Sequence, residues 1–276
     1  MEGRCQILLT NDDGIKSPGL WAAAEALEKL GFVTVAAPRE QSSGMGRSLP
    51  ASSDGIIHRE TLTVGGREWT VYAVGGSPAQ AVLHGILEIM PERPDLVVSG
   101  INYGENVGTG LTISGTVGAT LEAASHGIPA LAASLETARE DHTSYSTGVD
   151  FSAAAYFTAY FARQLLEKRF PADVDVLNMN VPCDATRQTS WLLTRVARQR
   201  YYLPVKPERK SWDEPGYVDY REAADLENEK NDTDVYVLRI KKCVSVSPVS
   251  LDLTARTDFE QLRHLLETRM ETLQDS

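Results

Sequence analysis

The sequence predicts a doubly wound α/β protein with a mostly parallel sheet, on three observations. Four near-continuous apolar runs, Ile7–Leu9, Val33–Ala37, Leu96–Val98 and Ala130–Ala133, have the character of strands buried on both faces of a parallel sheet. Helical patterns with readable ends lie between them. The resulting strand–helix–strand repeat is closed by right-handed crossovers.

The elements follow in order. Ser17 is an N-cap with Pro18 at the first helical position; Leu20, Ala23, Ala24, Leu27 and Leu30 form one apolar face, and Gly31 is the expected stop. Residues 51–73 break the rhythm, because Ile56-Ile57 and Glu68–Tyr72 flank Gly65-Gly66 as a hairpin would. Ser77-Pro78 repeats the helix start, followed by Val82, Leu83, Ile86, Leu87 and Met90 before Pro91. A third helix runs from Thr116 to Ser125 and stops at Gly127, a long one spans Thr147–Lys168, and a strand covers Val174–Asn180. Beyond Arg200 the composition shifts. Lys206–Asp234 is charged and poor in apolar anchors, with Pro207, Pro215 and Gly216, and reads either as a disordered loop or as an arm that packs on another subunit. A strand at Val235–Val244 and an amphipathic helix at Asp258–Glu267 close the chain. The expected division is a catalytic core, 1–200, and a C-terminal extension, 201–276.

Composition bounds the function. With 42% apolar and 24% charged residues in 276, wholesale disorder is excluded. No apolar run reaches the ~18 residues of a membrane span. Met1 leads into a strand without the apolar core of a signal peptide. The three scattered cysteines, Cys5, Cys183 and Cys243, form neither a disulfide framework nor a zinc ribbon. A cytoplasmic protein is expected. Twenty-seven basic against 38 acidic side chains give a net charge of −11, which disfavours nucleic acid and anionic membranes as partners. A phosphate substrate would need that field reversed locally, most simply by a cation.

Ligands of such sheets bind at the carboxyl ends of the strands. After the first strand, Thr10-Asn11-Asp12-Asp13-Gly14-Ile15 reads as an Asx-type turn or as a cation site, since adjacent carboxylates repel and a divalent ion relieves them. After the second, Pro38–Ser48 reads as a mobile surface loop or as one that offers amides and hydroxyls to an ion. Ser99–Gly108, leading to Ser114-Gly115-Thr116 at a helix start, has the type of a phosphate cradle. It lacks the Gly-Lys-Ser/Thr of a P-loop and does not complete a dinucleotide fingerprint. Gly75–Ala79 resembles a nucleophile elbow only superficially, because Pro78 has no N–H for an oxyanion hole.

Together these loops resemble the SurE family of metal-dependent nucleotidases. The resemblance rests on Leu8–Ile15, Pro38–Ser48, Ser99–Asn106 and Ser114–Ala119, with echoes in Leu177–Pro182 and Val244–Pro248, and covers residues 6–255. It implies a Rossmann-like, three-layer α/β/α fold with a C-terminal oligomerisation arm exchanged in homodimers or homotetramers. It implies one divalent ion per subunit, held by Asp12, Asp13, Ser43 and Asn102; an all-oxygen site suits Mg²⁺ or Mn²⁺. Asp12, Asp13 and Asn102 would be catalytic, and Asn11, Gly44, Asn106, Ser114, Gly115 and Thr116 would face the substrate phosphate. The implied reaction is hydrolysis of nucleoside 5′- and 3′-monophosphates, in some members also of short polyphosphate. The chain departs from the family at Ser77–Ala81, where Gln80 and Ala81 replace the usual Asp and Cys, and within the Pro38 loop at Arg39-Glu40 and Met45–Arg47. Two alternatives stand beside this reading. A haloacid-dehalogenase-type phosphatase wants Asp-x-Asp, which adjacent Asp12-Asp13 does not supply. A metal- and nucleotide-binding module without turnover finds its only support in the Ser77–Ala81 departure.

Overall fold

The computed structural model describes residues 4–142, 145–223, 226 and 229–274. Met1–Gly3, on which the reading of a missing leader rests, and four positions of the charged C-terminal stretch lie outside the described residues. The chain runs through β1 (Cys5–Thr10), α1 (Pro18–Leu27), β2 (Gly31–Pro38), β3 (Ile57–Val64), β4 (Arg67–Val74), α2 (Pro78–His84), β5 (Leu96–Tyr103) and α3 (Gly115–Ser125). It continues through β6 (Ala130–Leu135), α4 (Ser152–Glu167), β7 (Val176–Val181), β8 (Trp191–Leu193), β9 (Tyr202–Val205), β10 (Asp219–Glu222), α5 (Asp234–Arg239), β11 (Val244–Val249) and α6 (Phe259–Gln274).

One nine-stranded sheet orders these strands β3-β4-β2-β1-β5-β6-β7-β11-β8. From β4 to β7 all neighbours are parallel, while β3 and β11 run against their neighbours β4 and β7. The strand order reverses between β1 and β5, which opens the ligand crevice of a doubly wound sheet at their carboxyl ends. Helices α1 and α4 pack on one face through Leu20, Leu27, Phe157 and Phe161, over Ile7, Leu9 and Val98. Helices α2 and α3 cover the other through Val82, Ala119 and Ala123, over Leu8 and Val97. Burying β1 and β5 on both faces is what their unbroken apolar runs encode. Among the described residues no helix is long and apolar enough to cross a membrane.

Several expectations are adjusted. Gly31 opens β2 instead of stopping α1; a Cβ there would meet the Cys5 carbonyl at 2.2 Å, so the strand start needs a glycine. Ser17 takes the N-cap position but makes no capping bond. The long helix begins at Ser152, five residues later than its pattern suggests. Val235–Val244 is not one strand. Thr233 caps α5 by accepting from the Tyr236 amide, and the strand starts only at Val244. The charged stretch supplies β10, which pairs antiparallel with β9 just before it, and the root of this hairpin packs Tyr201 and Tyr202 onto Val107, Ala197 and Leu238. Between that hairpin and α6 the chain returns to the main sheet as β11, inside the segment 201–276.

Candidate metal and phosphate site

The site starts from a turn. Asn11 donates to the Gly14 carbonyl at 3.0 Å and accepts from the Gly14 amide at 3.1 Å, while Gly14 takes φ +100°, which favours glycine. Asn11 and Gly14 thus build the turn, and the two carboxylates stand outside it. Both are buried, Asp12 at 3% and Asp13 at 2% exposure.

Each carboxylate has its own support. Asp12 Oδ1 accepts from the Thr116 hydroxyl at 2.5 Å, at the N-terminus of α3, and the amides of Gly115 and Thr116 add to it. Gly115 permits this approach: a Cβ would stand 2.7 Å from Asp12 Cβ. Asp13 accepts from the Tyr103 amide at 3.2 Å and from Gln41 Nε2 at 3.4 Å. Burial holds Asp12 above the ordinary carboxylate range against the pull of Thr116. Asp13 is raised further, by burial and then by the charge of Asp12. Two buried carboxylates raised in this way are short of positive charge.

Asn102 arrives on β5 across a register shift. Ser99 pairs with Ala132 but Asn102 with Ser134, so β5 carries one extra residue just before Asn102. The shift needs Gly100, with φ +124° and a Cβ position 2.2 Å from the Ala133 carbonyl. Asn102 Nδ2 donates to the carbonyls of Tyr103 and Gly104 at 3.0 and 2.7 Å. Both amide protons are spent, and Oδ1 is the atom left to bind a ligand. Ser43 and Gly44 lie exposed on the loop after β2, Gly44 with φ +78°. That loop is fastened at both ends: Ser42 N donates to the Asp12 carbonyl at 2.6 Å, and Arg47 pairs with Glu122 of α3 at 2.6 Å.

Asn106 and Ser114 are held differently. Asn106 donates through Nδ2 to Ser134 Oγ at 2.9 Å and through its backbone N–H to Asn180 Oδ1 at 2.7 Å. Its carbonyl accepts from Asn178 at 2.9 Å and Asn180 at 3.1 Å, which leaves the second Nδ2 proton free to donate. Ser114 accepts from the Val117 amide at 3.1 Å as the α3 N-cap and retains its own hydroxyl proton. The helix dipole adds partial positive charge at the same place. Sequence reasoning missed Gln41, Asn178, Asn180 and the Tyr103 amide. Asn178 and Asn180 fall in the Leu177–Pro182 family echo and Gln41 in the Pro38–Ser48 loop, but only the alternation of Leu177-Asn178-Met179-Asn180, polar on one face of a buried strand, pointed to a role for two of them.

An all-oxygen cation site fits these residues. Among the described residues no group of three or more His, Cys, Asp or Glu side chains is arranged to hold a metal. The donors on offer are two carboxylates with the neutral oxygens of Asn102 and Ser43, a hard set suited to Mg²⁺ or Mn²⁺ rather than zinc.

A doubly wound sheet with paired carboxylates at its switch point, beside a capped helix N-terminus, defines a class: an α/β protein equipped to handle phosphate. The model of the family described as Survival protein SurE matches residues 7–203. The chain belongs to the SurE family. It is 42% identical over 262 residues to the 5′-nucleotidase SurE of Thermococcus gammatolerans, covering 95% of this chain and 96% of that one. The 5′-nucleotidase SurE of Methanosarcina mazei is 41% identical over 268 residues, covering 95% and 97%. The crystal structure of the SurE protein from Aquifex aeolicus superimposes with a TM-score of 0.74 at 29% identity, over 94% of this chain and 99% of that one.

Proposed function

We propose that this protein is a divalent-metal-dependent phosphomonoesterase that hydrolyses nucleoside 5′- and 3′-monophosphates to nucleoside and phosphate. The observation that carries the reading is the division of labour at the switch point. Asp12, Asp13 and Asn102 offer only acceptor oxygens, whereas Asn106 and Ser114 retain donor protons. The first set suits a cation and the second an anion, both at the carboxyl ends of the central strands. The names of the relatives, 5′-nucleotidases, support the substrate class.

In this reading Asp12, Asp13, Ser43 and Asn102 hold Mg²⁺ or Mn²⁺, one per subunit. When bound, the ion supplies positive charge to the phosphoryl group and its transition state. Asn106 and Ser114 grip the phosphate oxygens at the positive end of α3, and this fixed electrostatic frame lowers the barrier. Of the other residues expected at the phosphate, Gly115 and Thr116 spend their donors on Asp12 and Asn11 holds the turn beneath the carboxylates, while Gly44 stays exposed on its loop. Asp12, locked in orientation by Thr116, accepts a proton from the attacking water. The water oxygen forms the new P–O bond and the bond to the nucleoside oxygen breaks in line. That oxygen takes up a proton from solvent water as the nucleoside leaves as the alcohol, Asp12 returning its proton to solvent. Gln80, which stands where the family has Asp, completes a helix cap, and the names of the relatives favour an enzyme over a non-catalytic module.

We place the protein in the cytoplasm as a homodimer or homotetramer, with residues 201–276 supplying the arm that meets a partner subunit. Phosphate release from a panel of nucleoside monophosphates, with Mg²⁺, Mn²⁺ or EDTA, tests the chemistry. Metal-dependent release is expected, falling roughly a hundredfold or more in Asp13→Asn and in Asp12→Asn. Phosphate affinity should survive in Asp12→Asn. No release from any monophosphate by a folded wild type would overturn the reading.

A further inference from the structure

The C-terminal extension reaches the back of the phosphate loop through one buried carboxylate. Asp234, fully buried at the first position of α5, accepts from the Gly108 amide at 2.9 Å and the Ala197 amide at 2.9 Å, besides its own neighbour Val235 at 2.8 Å. Gly108 is where the loop carrying Asn106 turns, with φ +56°, into the short 3₁₀ turn that delivers Ser114. A Cβ at Gly108 would lie 2.7 Å from the Gln199 carbonyl, so the loop is pressed against the 195–199 segment that Asp234 also holds.

The rest of α5 reinforces the contact. Arg239, at its other end, stands 2.5 Å from Glu136, 2.9 Å from Glu222 of β10 and 3.8 Å from Glu105, the residue before Asn106. Both ends of the stretch Glu105–Gly108 are therefore faced by α5. On the sheet side the same stretch is held through Asn106, by Ser134, Asn178 and Asn180.

We propose that Asp234 is a positioning residue for phosphate binding: by fixing Gly108 it sets where Asn106 and Ser114 present their free donors. The proposal rests on the phosphomonoesterase reading and adds to it a residue from outside the strand-end loops. A carboxylate suits this role because it accepts two backbone amides from separate segments at once, and an amide side chain has one acceptor oxygen. Asp234→Asn, of the same size, leaves the N–H of Gly108 or of Ala197 buried without a partner.

The test compares Asp234→Asn with Thr233→Ala, which removes the α5 cap and leaves the Gly108 acceptor intact. Binding of inorganic phosphate in the presence of Mg²⁺, binding of Mn²⁺ alone, the KM and kcat for a nucleoside monophosphate, and Tm are measured on the full-length protein. For Asp234→Asn, phosphate affinity is expected to weaken about tenfold and kcat/KM to fall at least in step, with Mn²⁺ affinity within about twofold of wild type. Thr233→Ala should lower Tm while leaving phosphate affinity and KM unchanged. Equal losses in the two variants, or phosphate affinity unchanged in Asp234→Asn, would overturn the proposal. If the wild type binds phosphate without hydrolysing any monophosphate, the enzymatic reading alone fails and the binding comparison still decides the role of Asp234. A wild type that binds no phosphate overturns both.

Discussion

Glu105 is the residue whose burial has the plainest thermodynamic consequence. Its side chain is 1% exposed, and burial first, then the neighbouring charge of Glu136, push its pKa up to about 7 against the opposing pull of Arg239. The tyrosines Tyr201, Tyr202 and Tyr220 also face it. A carboxyl raised on folding is protonated in the native state over a range where the unfolded chain has already lost the proton. Stability therefore falls as pH climbs from about 4.5 to about 7. Glu105→Gln keeps the shape and removes that linkage. The variant should match wild type near pH 4.5 and exceed it above pH 7, by on the order of 1–3 kcal/mol, in urea melts across that range. A gap of the opposite sign at pH 8 would mean that the pair with Arg239 outweighs the cost of burying the charge. The same logic explains why Asp12 and Asp13 were readable from sequence and Glu105 was not. Adjacent carboxylates in a strand-end turn announce a shortage of positive charge, whereas a single glutamate in a loop gives no sign of being enclosed by elements more than 100 residues away, as Glu105 is by Arg239.

Among the elements, α2 shows how a departure from the family pattern is absorbed. Ser77 accepts from the Gln80 amide at 3.1 Å and donates its hydroxyl to the Ser48 carbonyl at 2.6 Å, and Gln80 Oε1 accepts in return from the Ser77 amide at 2.9 Å. The longer Gln80 side chain also donates to the Pro50 carbonyl at 3.1 Å and accepts from Ser53 at 2.7 Å. The helix cap thereby ties down the far end of the loop that carries Ser43. Gln80→Ala should cost about 1–2 kcal/mol, near 2–4 °C in Tm per kcal/mol, and raise the metal concentration needed for half-maximal activity. An unchanged melting curve would show that these bonds are exchanged for water without loss. Parallel strands were legible as elements because each is buried on both faces. The Val235–Val244 region misled for a related reason: Val235, Val237 and Leu238 are all buried, and apolar residues this closely spaced suit a strand as well as one helical turn. The Thr233-Asp234 pair carried the helix-start signal, and Asp234 spends its carboxylate on amides that no local pattern reveals.

At the scale of the whole molecule, the sheet and its four flanking helices bury their apolar surface within the chain, and α6 does not. Phe259, Leu262, Leu265 and Leu266 are between 42% and 63% exposed, and among the described residues none of α6 joins a buried cluster. Their spacing of three, three and one places them along one side of the helix, the pattern of a surface that expects a partner. The charge of the chain, −11, sharpens the point, since a strongly acidic protein stays apart from its copies unless apolar surface draws them together. On the proposed homo-oligomer, α6 supplies that surface. Truncation after Asp258 removes α6 without opening the core, because β11, the last strand of the sheet, ends at Val249. The shortened protein should keep the far-ultraviolet signature of the α/β core and lose oligomeric mass by light scattering, at the concentration where the full chain assembles. An unchanged mass would move the contact to the exposed hairpin tip, where Trp212 and Tyr217 are about as open to solvent as side chains become, at 90% and 89%. Substituting both with serine would then separate the two surfaces, since neither lies in the strands that hold the hairpin together.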